Sequence, residues 1–408
     1  MLVYNLLLMR SSWISSSALS AFFLVCTCNL FAQHINLVPQ PKEIRASGKP
    51  FRITAATRIA ISPAHIREDR FIAETLADEI ENATHHRPRI VSSASSAAGS
   101  STIFLTRMSD ALSKRKLQSN GLTADTNFND EGYLLNTSAT GITVAGQSAA
   151  GLFYGVQTLR QLVQSVDNRP IIPAVSIKDW PTIRWRGVHD DVSRGPIPTV
   201  EYMKKQIRTL AEYKINLFSI YMENVFDYKD QPLIAPKEAA ITPAQVKELI
   251  AYAKKYYVTI LPEQQAFGHL HHVLKYEIYT DMAETPHGHV LAPVNEKSYE
   301  LIESMYAELV PLFPGPLFHI GSDETFELGR GQSKAKTDEI GLGRVYLEHL
   351  QRVSQIMQPY GKRLMFWADI AEHYPDLLNI LPKNMIPVAW EYDPRPSFES
   401  MLQPFHRL

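Results

Sequence analysis

The sequence predicts two α/β domains: a (β/α)8 TIM-type barrel, incomplete at about six βα units, preceded by a smaller α+β domain. Three observations carry this. From Ile183 onward, short apolar strands alternate with stretches of helical period, the rhythm of a parallel sheet. Before Lys178 the strands and helices are mixed without that rhythm. No glycine-rich phosphate turn follows the first strand of the second half, which argues against a doubly wound open sheet, the alternative arrangement.

In chain order, residues 1–32 read as an export signal. Arg10 is the lone Lys or Arg before Lys42, and Ala18 to Ala32 is an apolar run too short for a membrane span. This predicts a secreted or periplasmic protein without a stable span. Cys26 and Cys28 both lie in that segment, so a chain cut after Ala32 carries no thiol, disulfide or cysteine metal site. The α+β domain is expected over 34–178. Phe51 to Ile61 alternates as a strand, and Phe71, Ile72, Leu76 and Ile80 share one helix face within Asp69 to Asn82. Ser92 to Ser101 reads as a surface loop, Ile103–Leu105, Gly132–Asn136 and Gly141–Ala145 as strands, and Ser148–Val163 as a helix. The proline-rich stretch Pro170 to Pro181 reads as the link to the barrel.

The barrel is expected over 183–408. Its strands are read at Ile183–His189, Ile215–Tyr221, Val258–Pro262, Leu317–Gly321, Arg363–Trp367 and Ile386–Trp390. Thr242 caps a helix with Pro243 in its first turn, and Asn295 caps the next. A full barrel has eight strands in ~250 residues. The stretch from Arg184 to Leu408 is shorter than that and reads as a barrel truncated at its C-terminus.

Hydrophobic residues make up 45% of the 408 and charged residues 20%, a globular balance, while a net charge of −1 leaves no footprint for nucleic acid. Barrel active sites form at the C-terminal ends of the strands. Here those ends carry His189-Asp190-Asp191, Tyr221 to Asn224, Glu263 with Gly268-His269, Gly321 to Glu324, Trp367 to Asp369, and Trp390-Glu391-Tyr392. Carboxylates beside tryptophans suit sugar chemistry, because an indole stacks on a pyranose and a carboxyl serves as acid, base or hydroxyl acceptor. Asp323 and Glu324 are adjacent. Within a strand they would face opposite ways, but at its end the chain turns and both can reach one basin. Crowding two carboxyls is expected to raise the pKa of one, which favours a general acid near neutral pH.

His319-Ile320-Gly321-Ser322-Asp323-Glu324 resembles the His-x-Gly-x-Asp-Glu signature of glycoside hydrolase family 20. Trp185-Arg186-Gly187 with Asp191 and Arg194, Lys214-Ile215-Asn216, and Glu263 to His269 are similar to that family's first three barrel strands. Leu37 to Pro41 and Gly151 to Leu162 are similar to its N-terminal domain. Tyr221, Glu223, Gly268-His269-Leu270 and Leu328 to Gly331 resemble the hexosaminidase D branch, and Gln265 stands where the commoner pattern has aspartate. The resemblance implies a β-N-acetylhexosaminidase acting on glycans with terminal N-acetylglucosamine or N-acetylgalactosamine, with no cofactor and no metal. It implies that Glu324 is acid and base while the substrate's own acetamido oxygen attacks and Asp323 steadies its N–H. Arg186, Glu223 and His269 would bind substrate, His269 tuning the acid, with Trp367 and Trp390 walling the acetamido group. Two other readings stay open on the residues alone: a non-catalytic glycan-binding protein on this scaffold, and a metal-dependent barrel hydrolase using His269, His271 and His272, which lack His-Glu-x-x-His spacing.

Overall fold

The computed structural model describes residues 35–46, 48–92, 101–166 and 169–406. The expected export segment, and most of the expected loop from Ser92 to Ser101, lie outside the described residues. The chain forms two compact units. No helix among the described residues is long and apolar enough to cross a membrane.

The first unit is built on a seven-stranded mixed sheet, ordered Glu43–Ala46, Val175–Asp179, Tyr133–Ser138, Gly141–Gly146, Thr102–Arg107, Arg58–Ile61 and Arg89–Ser92. Helix Ile66–Thr84 buries Ile72, Ala73, Leu76, Ala77 and Ile80 on one face. It ends where His85 turns left-handed at φ 58°. The expected strand from Phe51 to Ile61 is two strands, Phe51–Arg52 and Arg58–Ile61, which join different sheets. The expected link from Pro170 to Pro181 is a misreading. Arg169–Ile172 and Val175–Asp179 are strands within the first unit. A proline removes only one donor from a short strand, so Pro170 pairs opposite Ser165 while its carbonyl still accepts from the Ile53 N–H.

The second unit comprises residues 129–131, 148–157 and 181–408. Its core is a parallel sheet whose spatial order follows the sequence: β1 Gly187–Asp191, β2 Leu217–Met222, β3 Thr259–Gln264, β4 Leu317–His319, β5 Arg363–Trp367 and β6 Met385–Val388. Helices α1 Val200–Glu212, α2 Pro243–Lys255, α3 Glu296–Leu309 and α4 Leu342–Met357 lie in the intervening stretches. Their starts are chemically marked. Thr199 accepts from the Tyr202 N–H, Thr242 and Gln245 close a reciprocal capping box ahead of Pro243, and Asn295 accepts from the Lys297 N–H. Leu217, Leu261 and Leu317 make an apolar layer at the N-terminal ends of β2, β3 and β4, with Trp185, Met365 and Ile386 packed on it. Each fully buried leucine there contributes about 1.5–3 kcal/mol. This layer fills the base of the sheet, and the polar residues gather at the opposite, C-terminal ends.

Candidate active site

β4 is short because Gly321 turns the chain out of it. Gly321, Ser322 and Glu324 all have positive φ, at 67°, 77° and 48°. Three left-handed residues in four place two consecutive side chains, Asp323 and Glu324, on the same cavity of about 400 Å³. His189, Asp191, Arg194, Tyr221, His269, Trp367, Trp390, Glu391 and Tyr392 complete its lining. Glu324 and Trp390 also line a neighbouring cavity of about 640 Å³, with Phe326, Arg330 and Tyr374.

Asp323 is gripped from two sides. His269 Nε2 lies 3.0 Å from its Oδ2, and Gln265 Nε2 donates to its Oδ1 at 3.1 Å. Gln265 also accepts the Ser322 N–H at 3.1 Å. One side-chain amide thus holds both the backbone turn and the carboxylate. An aspartate at 265 would set a second negative charge against Asp323. Burial pushes the Asp323 carboxyl up, but the bonds and charge of His269 and the Gln265 bond outweigh it, so its pKa falls below 3.8. Of the crowded pair, Asp323 is the member that the structure holds as an anion. Two further carboxyls beside the site, Asp369 and Glu263, are raised, each chiefly by burial.

Glu324 presents its carboxyl 3.6 Å from His269 Nε2, and its N–H donates to Asp369 Oδ2 at 3.0 Å. The His269 Nδ1 faces Arg194 Nη2 at 3.2 Å. A guanidinium only donates, so in this arrangement Nδ1 accepts and Nε2 carries the hydrogen toward Asp323. Burial lowers the pKa of His269, but Asp323 overcomes that and leaves it raised above 6.5.

The tryptophans take different places. Trp367 Nε1 donates to Glu263 Oε1 at 2.7 Å, while His189 meets its ring edge-on at 5.4 Å. Burial, with Asp323 and Asp191 adding their charge, lifts Glu263 well above 4.5 against that bond. Beneath it, burial and His189 push His319 down to about 3. Trp390 walls both cavities and stacks edge-on with Tyr392 at 5.3 Å.

Two expected substrate contacts are not where the sequence suggested. Arg186 precedes β1 and so stands at the wrong end of the sheet. It donates to Glu131 Oε2 at 2.7 Å and to the carbonyls of Lys214, Ile183 and Arg184. It joins chain segments and does not line the cavity. The cation that does is Arg194, just past the C-terminal end of β1, bound to Asp191 at 2.9 Å and Glu223 at 3.1 Å. Glu223 is buried behind the cavity wall, where it accepts from the Tyr221 hydroxyl at 2.7 Å. It positions Tyr221 and Arg194 and is not among the lining residues. Burial first, then Glu223, keep the Tyr221 hydroxyl protonated. His189, named at the end of β1 but not expected as a substrate contact, also lines the cavity, with its Nδ1 3.0 Å from the Ser219 hydroxyl. The signal for Arg194 and His189 was available, since both stand at the C-terminal end of a barrel strand. His271 and His272 stack on each other, at 5.7 Å between rings, and no three His, Cys, Asp or Glu side chains among the described residues converge as metal ligands.

Paired acids and two tryptophans at the C-terminal ends of a parallel sheet define the class as a β/α-barrel protein with its polar cavity at the end where barrel active sites form. Residues 34–180 match glycosyl hydrolase family 20, domain 2, and residues 183–404 match glycosyl hydrolase family 20, catalytic domain. The chain belongs to glycosyl hydrolase family 20. It is 26% identical over 381 residues to a beta-hexosaminidase of Porphyromonas gingivalis, covering 83% of this chain and 46% of that protein. It is 28% identical over 218 residues to hexosaminidase D of Bos taurus, covering 51% of this chain and 62% of that one. It therefore spans about half to two thirds of the length of these relatives. Its fold is similar to the family 20 beta-N-acetylhexosaminidase of Streptomyces coelicolor, with a TM-score of 0.71 at 24% identity, covering 90% of this chain and 72% of that one. It is also similar to a chitobiase of Flavobacterium johnsoniae, with a TM-score of 0.72 at 22% identity, covering 88% and 55%.

Proposed function

We propose that this protein is a β-N-acetylhexosaminidase that releases terminal N-acetylglucosamine or N-acetylgalactosamine from glycans with retention of configuration. The observation that carries the reading is Asp323, a carboxylate kept charged by His269 and Gln265 and aimed into a tryptophan-walled cavity beside Glu324.

Glu324 transfers its proton to the glycosidic oxygen as the C1–O bond breaks. The acetamido oxygen of the same sugar attacks C1 and closes an oxazolinium ring. Asp323 accepts the acetamido N–H and offsets the positive charge that grows there. Water then attacks C1 and gives its proton to Glu324, which reopens the ring and restores the acid. Two inversions at C1 leave the configuration unchanged. The position of Glu324 between the two cavities supports this order, with the departing glycan on the Phe326 side. Arg194 would take ring hydroxyls, and Trp367 with Trp390 would enclose the acetamido methyl. The apolar run from Ala18 to Ala32 supports export of the protein, to where extracellular or periplasmic glycans would be met.

Release of nitrophenol from an N-acetylglucosaminide tests the reading. Glu324→Gln keeps the side-chain volume and removes the proton, so kcat/KM is expected to fall by about 100-fold or more. Equal rates in the two proteins would overturn it.

A further inference from the structure

His269 adopts φ 58°, a left-handed conformation that a residue with a Cβ holds only when its surroundings impose it. What imposes it is a second histidine. The His269 N–H donates to Nδ1 of His289 at 3.1 Å, and the next N–H, of Leu270, donates to the His289 carbonyl at 2.9 Å. The two rings lie 5.6 Å apart. His289 is itself pinned: its N–H and that of Val290 reach the Glu327 carboxylate at 3.2 and 3.4 Å, and the Thr285 hydroxyl donates to the same carboxylate at 3.1 Å. Gly288 leaves no room for slack, since a Cβ there would stand 2.1 Å from Glu327 Oε2. Glu327 follows Glu324 on the same loop. The contacts thus run from Asp323 to His269, to His289, to Glu327, and back along the chain to Glu324.

A nitrogen that receives an N–H must offer a lone pair, so Nδ1 of His289 is unprotonated here. Its Nε2 is 3.7 Å from Glu327 Oε1. A proton added at Nδ1 would meet the His269 N–H donor to donor. The titratable groups facing the ring are Glu327, His269, Glu324 and His271, and the ring is half-buried, within reach of solvent. Burial is the largest influence and lowers its pKa below 6.5.

We propose that His289 is a positioning residue: its unprotonated Nδ1 holds the main chain of His269 against Asp323, and its protonation in mild acid releases it. The kinetic arm of the test rests on the hydrolase reading above, and the spectroscopic arm does not. The experiment compares the full chain with His289→Asn, whose amide oxygen lies near the Nδ1 position and accepts at any pH, and with His289→Phe, which keeps the ring and accepts nothing. In protein labelled with 15N-histidine, the His269 main-chain amide signal is followed from about pH 4.5 to 7.5. The parent is expected to show one step below 6.5 that coincides with titration of the His289 ring, His289→Asn no such step, and His289→Phe the acid-form signal throughout. In the kinetic arm, the acid limb of kcat/KM should follow the same step in the parent and shift to lower pH in His289→Asn. His289→Phe should lose about fivefold or more at every pH. A His269 amide that ignores the ionisation of His289 overturns the proposal, as do indistinguishable Asn and Phe variants. A parent that titrates as described yet hydrolyses nothing overturns the proposed function alone.

Discussion

Arg194 and Arg186 show how position on a barrel strand decides what a cation does. Each follows or precedes the same strand, β1, yet one meets the cavity and the other a carboxylate at the base. Arg194→Ala is expected to lower kcat/KM by about tenfold or more with some loss of stability, because its half-exposed guanidinium pairs with the buried Glu223. Arg186→Ala should act on stability alone. It removes the ion pair with Glu131, which keeps only the Asn216 amide, and three bonds to carbonyls, costing about 1–3 kcal/mol of stability with kcat/KM intact. Steady-state kinetics beside thermal unfolding of both variants checks this. The sequence reading took Arg186 because it borders Trp185 and Gly187 in the motif. The need of Arg186 for a carboxylate partner was legible, but the partner, Glu131, is 55 residues away and no local pattern points to it. Glu223 was misread for a related reason. The chain shows that a strand ends there, and only packing shows that Tyr221 stands between it and the cavity.

At the scale of elements, the turn from β4 into the acid pair is where local chemistry and packing meet. Gly321 has φ 67°, and a Cβ there would fall 1.9 Å from Gln265 Oε1, the atom that holds Ser322. Gly321→Ala is expected to push Gln265 off Asp323 and to lower kcat by about tenfold or more, together with a loss of stability. Gly361→Ala is the control. Its φ is 64° but nothing lies near the added carbon, so it should cost only about 1 kcal/mol and leave kcat alone. Comparable kcat losses in the two variants would contradict the account. Elements governed by neighbours in sequence were readable in advance: the caps at Thr242 and Asn295, the apolar face of Ile66–Thr84, and β5 at Arg363–Trp367. Elements that depend on distant partners were not. β1 begins at Gly187 and not at Ile183, because Ile183 finds no strand beside it and stays exposed. The stretch from Pro170 to Pro181 looked like a linker because, apart from the adjacent strand Gln164–Val166, its pairing strands lie far back in the chain.

At the scale of the whole molecule, the sheet carries a buried acid beneath its chemistry. Glu263 is fully enclosed, and its folded pKa lies well above that of the unfolded chain. A carboxyl raised in this way stays protonated in the fold and ionises in the unfolded chain as pH climbs past about 4.3. The unfolded state then binds fewer protons, so this group lowers stability as pH rises from there toward the folded pKa. Glu263→Gln retains an acceptor for the Trp367 N–H and cannot ionise, so it should unfold at a higher temperature than the parent at pH 7, with the difference shrinking near pH 4. A difference independent of pH would contradict this. The central claim remains that Asp323 holds the substrate's acetamido group so that its oxygen attacks C1. The most direct measurement is kcat/KM on a series of nitrophenyl glucosaminides bearing acetyl, monofluoroacetyl, difluoroacetyl and trifluoroacetyl groups on nitrogen. Fluorine drains the attacking oxygen without changing the leaving group, so the account predicts a steep, progressive fall along the series. A flat series would mean that another nucleophile does the work.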